Sequence, residues 1–229
     1  MPTSRPSARS GSGSPSSPDG LPLKLVLASG SPQRREILQK LGLEFEVVVP
    51  GVEELTEGDP EHLVVENARR KARAARRAGP VSDRGLSLPG ESSRSSPPAR
   101  GTALIIACDT DVVLDGEVLG KPADADEARA YLDRMSGRAH EVMSGLVVVE
   151  DGEERSGLER TTVVFKELSD EEKERYVRFG EWEGRSGGYA IQTLGSSLVA
   201  RLEGSVSNVV GLPVGLLAEL APALFEHGR

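Results

Sequence analysis

Aliphatic runs alternate with helix-period stripes along most of this chain. Residues 23–29, LKLVLAS, predict a buried strand. The run breaks at Ser29-Gly30-Ser31-Pro32 and hands over to a helix from 33 to about 41. Ser31 is its N-cap, Pro32 its first residue, Gly42 its close, and Ile37, Leu38 and Leu41 its buried stripe. Residues 45–55 predict a second strand, ending in Pro50-Gly51 and then Glu53-Glu54. Asp59 and Pro60 open a helix to about 78 whose inward stripe is Val64, Ala68, Ala72 and Ala75. The apolar run 103–107 delivers Asp109-Thr110-Asp111, and a hairpin then turns at Asp115-Gly116 and ends in Lys121-Pro122.

Residues 123–135 predict a helix with Ala128, Tyr131, Leu132 and Met135 inward. Two long antiparallel strands follow over 140–165, turning near Asp151-Gly152. Residues 169–179 carry a capping box, Ser169 with Glu172, and Gly180 ends that helix. Short strands are expected at 189–192 and 198–202, and Pro213 opens a last helix to about 225 with Leu216, Leu217 and Leu220 inward. There is no strict βαβ repeat and no GxGxxG, so the fold class is a mixed-sheet α/β or α+β domain with its site in a cleft. The Ser/Pro/Gly/Arg stretch 1–21 predicts a disordered tail, and 79–101 a low-complexity insertion within one domain spanning 22–226.

Composition narrows the function. Hydrophobic content of 37% is low because those two segments dilute it. A net charge of −8 argues against DNA or RNA as partner, but local cations still permit small anionic ligands. The single cysteine, Cys108, allows no internal disulfide and fits a reducing cytoplasm. Alternation turns its side chain away from that of Asp109, as a small buried hydrophobe. No stretch approaches a membrane span or a signal-peptide core, and the three histidines lack zinc-ligand spacing.

The candidate chemistry is metal-assisted phosphate chemistry. Asp109, at the end of an apolar strand, can hold a divalent cation or take a proton from water, and Lys121 can neutralise phosphate. The turn before the first helix offers Ser29 and Ser31 hydroxyls, backbone N–H groups and a positive helix end. Arg34 and Arg35 oppose that helix dipole, which a phosphate partner explains; solvated arginines are the alternative. The P-loop pattern is absent. Lys71 falls on or beside the inward face of its helix and either snorkels, which spacing alone favours, or points into a site. Glu53 and Glu54 are metal ligands or plain loop charge. Gln192 can read a base edge or sit idle on the surface. Glycines around Arg185 imply a tight backbone or a closely approaching ligand.

These segments resemble the Maf family of nucleotide pyrophosphatases over nearly all of 23–220. The similarity is carried by LVLASGSPQRREIL, GVEE, ENARRKARA, ACDTDVVLDGEVLGKP, MSGRAHEVMSGL, GGYAIQ and NVVGLP, in order. It implies an elongated mixed sheet with flanking helices, two lobes around a nucleotide cleft, like inosine triphosphate pyrophosphatases. It implies hydrolysis of a nucleoside triphosphate to monophosphate and pyrophosphate with Mg or Mn, and a possible homodimer. By motif position Asp109 is the proton acceptor. Ser29, Ser31, Arg34, Lys71 and Lys121 would bind substrate, Glu54 and Asp109 the metal, and Gln33, Thr110 and Gln192 would set specificity. The Asp-Thr and Ile-Gln pairs are similar to the dTTP/UTP branch. Gln33 in place of arginine, Gly184-Arg185-Ser186 in place of Asp-Lys-Ala, and Thr193 in place of glycine depart from it. Two other classes remain: a nucleotide-binding regulator of septum formation without turnover, and a DxD nucleotide-sugar transferase.

Overall fold

A computed structural model describes residues 24–78 and 103–226. The expected tail at 1–21 and insertion at 79–101 lie outside the described residues. The chain order is β1 (Lys24–Ala28), α1 (Pro32–Lys40), β2 (Glu46–Val48), α2 (Pro60–Ala78), β3 (Ala103–Leu114), β4 (Glu117–Leu119) and α3 (Ala125–Met135). Then come β5 (Ala139–Glu150), β6 (Glu153–Phe165), α4 (Asp170–Phe179), β7 (Val199–Glu203), α5 (Val206–Val210) and α6 (Val214–Leu220). The described strands form one mixed sheet in the order β2-β1-β3-β5-β6-β7, with β4 also on β3. β1 runs parallel to β2 and β3; the other pairs are antiparallel.

β3 runs through both lobes. Its first half contributes Leu104, Ile106 and Cys108 to a core with Leu27, Leu38, Leu146 and Leu217. Its second half contributes Val112 and Leu114 to another core with Leu132, Met135, Phe165 and Tyr176. On the opposite sheet face, Ala68, Ala72 and Ala75 of α2 pack on Val26, Ile105 and Val147. These small residues let α2 lie close: a Cβ on Gly145 of β5 would stand 2.3 Å from the carbonyl of Val64. The Asp-Gly turns behave as the sequence predicts. Asp115 and Gly116 have φ of 54° and 82°, and Asp151 and Gly152 have 52° and 89°, the left-handed pairs a two-residue hairpin requires.

Four expectations are corrected. The strand expected over 45–55 is only Glu46–Val48, because Pro50 and Gly51 end pairing and Val49 is 67% exposed. Residues 189–192 form no strand; they lie between 3₁₀ turns at Ser186–Gly188 and Thr193–Leu198. The last helix stops at Leu220, since Pro222 forces Ala221 out of helical geometry (φ −138°, ψ 63°). In α1, Leu41 is 38% exposed, and Arg34 occupies the buried face beside Leu38. The short α5, capped by Ser205, was not expected.

Candidate active site

The cleft begins as a gap in the sheet. β1 pairs with β3 up to Leu27 and Ile106, and β4 joins β3 only from Val112. Between those points β3 keeps β5 on one side and has no described strand on the other. Asp109, Thr110 and Asp111 stand in that gap, between the two cores. A cavity of about 420 Å³ opens over it. Ten residues singled out from the sequence line it: Ser29, Ser31, Gln33, Arg34, Glu54, Lys71, Asp109, Thr110, Lys121 and Gln192; Arg35 and Glu53 do not.

Strand alternation sends Asp109 and Thr110 to opposite faces, and each meets a different helix. Asp109 faces α2 and is only 7% exposed. Lys71 Nζ donates to its Oδ1 at 2.5 Å, and Asn67 Nδ2 to its Oδ2 at 3.0 Å. Lys71 therefore points into the site; burial against the sheet overrides the snorkelling that spacing favoured. Asn67 also grips the Leu55 backbone, accepting its N–H at 2.7 Å and donating to its carbonyl at 3.0 Å. That fixes the preceding loop, whose Glu54 carboxylate lies 2.6 Å from Lys71 Nζ. Asn67 was missed in the sequence, though its i,i+4 spacing from Lys71 was there to use.

Thr110 faces α1. Arg34 Nη2 donates to Thr110 Oγ1 at 3.1 Å, Nη1 to Ser29 Oγ at 3.0 Å and Nε to the Gly211 carbonyl at 2.8 Å. Arg34 thus ties α1 to β1, β3 and the end of α5. Ser31 caps α1, its Oγ accepting from the Arg34 amide. Lys121 and Gln192 are exposed on the cleft walls.

Asp111 is a further acid of the cleft that the sequence reading gave no role of its own. Burial, then the charge of Asp109, pushes its carboxyl up to about 6, against the pull of the Ser186 hydroxyl. Ser186 Oγ lies 3.1 Å from Asp111 Oδ1 and accepts the Val112 N–H at 3.1 Å. The 189–192 stretch is held from behind. Tyr189 OH and His140 Nε2 are 2.8 Å apart, and Tyr176 OH accepts the Ala190 N–H at 3.0 Å. His140 packs edge-on against Phe165 and Tyr189, and burial pushes its imidazole down to about 4, so it stays neutral.

Asp109, Asp111 and Glu54 are hard oxygen donors, the type that suits Mg²⁺ or Mn²⁺. Among the described residues no three acidic, His or Cys side chains stand together as a metal cage. Mg²⁺ bound through one or two carboxylates and substrate phosphates needs no such cage, so the donor set fits.

A sequence profile of Maf-like proteins matches residues 24–224. The chain belongs to the Maf-like family. It is 41% identical over 198 residues to a dTTP/UTP pyrophosphatase of Deinococcus radiodurans, covering 86% of this chain and 91% of that one. A dTTP/UTP pyrophosphatase of Anaeromyxobacter dehalogenans is 42% identical over 211 residues, covering 90% and 94%. One from Pyrococcus furiosus is 37% identical over 201 residues, covering 86% and 93%. A solved structure, protein VC0702 of Vibrio cholerae, overlays with a TM-score of 0.39 at 15% identity over 87% of this chain and 96% of that one, too loose to carry an argument. In this Maf-like chain the segment around Ser144 backs Thr110, with 2.8 Å between hydroxyl oxygens, and the segment ending in Gly211 supplies the carbonyl that Arg34 holds.

Proposed function

We propose that this chain hydrolyses dTTP or UTP to the nucleoside monophosphate and pyrophosphate, by attack of water on the α-phosphorus. The observation that carries this is the buried Asp109 carboxylate, clamped by Lys71 and Asn67 at the floor of a cleft whose opposite wall is the N-terminus of α1. The clamp orients the carboxylate, and each oxygen keeps a lone pair free. Asp109 takes the proton as the water oxygen bonds to phosphorus and the bond to the bridging oxygen breaks. Lys71, Arg34, Lys121 and the Ser29–Ser31 turn stabilise charge on the triphosphate. Asp109 and Glu54, with phosphate oxygens, would hold a divalent cation, Mg²⁺ or Mn²⁺, whose charge neutralises the phosphates. Gln192 hydrogen-bonds the base edge, with Thr110 and Gln33 shaping selectivity.

The relatives' names supply the pyrimidine preference. No described helix is long and apolar enough to cross a membrane, and a cytoplasmic enzyme acting as a homodimer belongs to the same proposal. Turnover of dTTP in ¹⁸O-water tests the point of attack. Label in dTMP alone is expected; label in pyrophosphate would place the attack on the β-phosphorus and overturn the role given to Asp109.

A further inference from the structure

The cations of the cleft are unevenly occupied. Lys71 carries two carboxylates, Asp109 at 2.5 Å and Glu54 at 2.6 Å. Arg34 gives Nε and an N–H of each terminal nitrogen to Gly211, Ser29 and Thr110. Arg185 enters from the other lobe and lines the same cavity. Its Nε donates to the Glu181 carbonyl at 2.7 Å, which fixes the root of the side chain. With the Gln33 amide in the orientation that satisfies both its ends, both terminal nitrogens converge on its oxygen, at 3.1 and 3.3 Å. The Gln33 nitrogen then donates to Ser31 Oγ, the cap of α1, at 3.0 Å.

A guanidinium fork matches two oxygens of a phosphate. Here it shares one neutral amide oxygen, beside a helix N-terminus that itself favours anions. No carboxylate among the described residues neutralises it. The Asp109 clamp is built from Lys71, Asn67 and the Glu54 loop, none of which bonds Arg185.

We propose that Arg185 is a ligand of the substrate's β- or γ-phosphate, and that Gln33 is the group it exchanges for those oxygens. This rests on the proposed triphosphate hydrolysis. Binding then replaces the direct Arg185–Gln33 bridge with one through the phosphate chain, which Arg185 and α1 reach from opposite walls. Glu181, which roots Arg185, also accepts the Gly195 N–H at 2.9 Å and bonds the Thr193 hydroxyl, so the arm is braced against the turn that follows Gln192.

The test is calorimetric titration of dTMP and of α,β-methylene-dTTP, a non-hydrolysable analogue, with Mg²⁺. The proteins are wild type, Arg185→Gln, Arg185→Lys and Gln33→Ala. Loss of a charge-assisted contact predicts that Arg185→Gln weakens the analogue by about ten- to hundred-fold. Its dTMP affinity should stay within about twofold, since a contact confined to the outer phosphates contributes nothing to dTMP binding. Arg185→Lys keeps the charge without the fork and should fall between, which also guards against a folding defect. Gln33→Ala releases the fork and should cost the analogue far less affinity than Arg185→Gln does. An Arg185→Gln protein that binds the analogue normally, or loses dTMP and analogue alike, overturns the proposal. So does Gln33→Ala losing the analogue as severely as Arg185→Gln. Wild type that releases no pyrophosphate from dTTP would instead sink the hydrolase reading itself.

Discussion

Lys71 Nζ sits between two carboxylates, 2.5 Å from Asp109 and 2.6 Å from Glu54, with Asp109 almost fully buried. Breaking such a pair from one side leaves a buried charge alone and costs about 3–5 kcal/mol. Lys71→Met should therefore lower the melting temperature sharply as well as the rate. Lys71→Met with Asp109→Asn should recover much of the stability but no turnover, and thermal melts beside a pyrophosphate assay separate the two effects. His140 makes a different prediction. Its imidazole is neutral in the fold down to about pH 4 because of burial, whereas in the unfolded chain it takes a proton near 6.5. The unfolded state therefore binds more protons between those values, so stability is full above about 6.5 and is lost as pH falls towards 4, by roughly 3 kcal/mol. Denaturant melts from pH 7.5 to 4.5 should show this slope as the difference between wild type and His140→Gln, since the raised Asp111 carboxyl contributes the opposite sign to both; no difference between the two proteins would contradict it. The roles of Lys71 and Gln192 entered through family likeness more than through spacing, whereas Asp109 was marked by its place after a fully apolar strand. Spacing favoured snorkelling for Lys71, because helix phase gives a direction but not the neighbour that waits there, and it left Gln192 open. Asn67 and Asp111 share faces with Lys71 and Asp109, yet an amide in an arginine-rich helix and a second acid in a strand carry no signal until the opposing wall is known.

The ends of α1 were legible, because a Ser-Pro cap and a Gly stop are local chemistry, but its buried face, which holds Arg34, was not. The capping box of α4 was legible too. α5 was not: its five residues are too few to display a period, and three of them are valine, which favours strands. The stretch 189–192 misled for a related reason, since its apolar residues are held by Tyr176 and His140 and not by strand neighbours. The contact of α2 with β5 is the element that delivers Lys71 and Asn67. A methyl at Gly145 would meet the Val64 carbonyl at 2.3 Å, so Gly145→Ala must push the helix off the sheet. A loss of about 2 kcal/mol or more is expected, with turnover falling as Lys71 leaves Asp109. Gly51→Ala, with nothing within 4 Å of its new methyl, is the control and should melt like wild type.

At the scale of the whole molecule, the site exists because β3 serves two cores and is left without a neighbour between β1 and β4. A mixed sheet was readable from the sequence. The interruption was not, because it depends on where β1 stops and β4 starts along a strand far from both. A ligand gripping both walls should stabilise the fold by mass action, about 2.7 kcal/mol at a hundredfold excess over Kd. α,β-Methylene-dTTP should therefore raise the melting temperature, and chelation of Mg²⁺ should remove most of the gain. The most direct measurement is pyrophosphate release from dTTP, UTP, CTP, GTP and 7-methyl-GTP with Mg²⁺ or Mn²⁺, using Asp109→Asn as the blank. Release from dTTP and UTP well above the others, reduced by about 10²–10⁴ in the blank, is the predicted result. Equal release by the Asp109→Asn protein, or none from any nucleotide, would contradict the account.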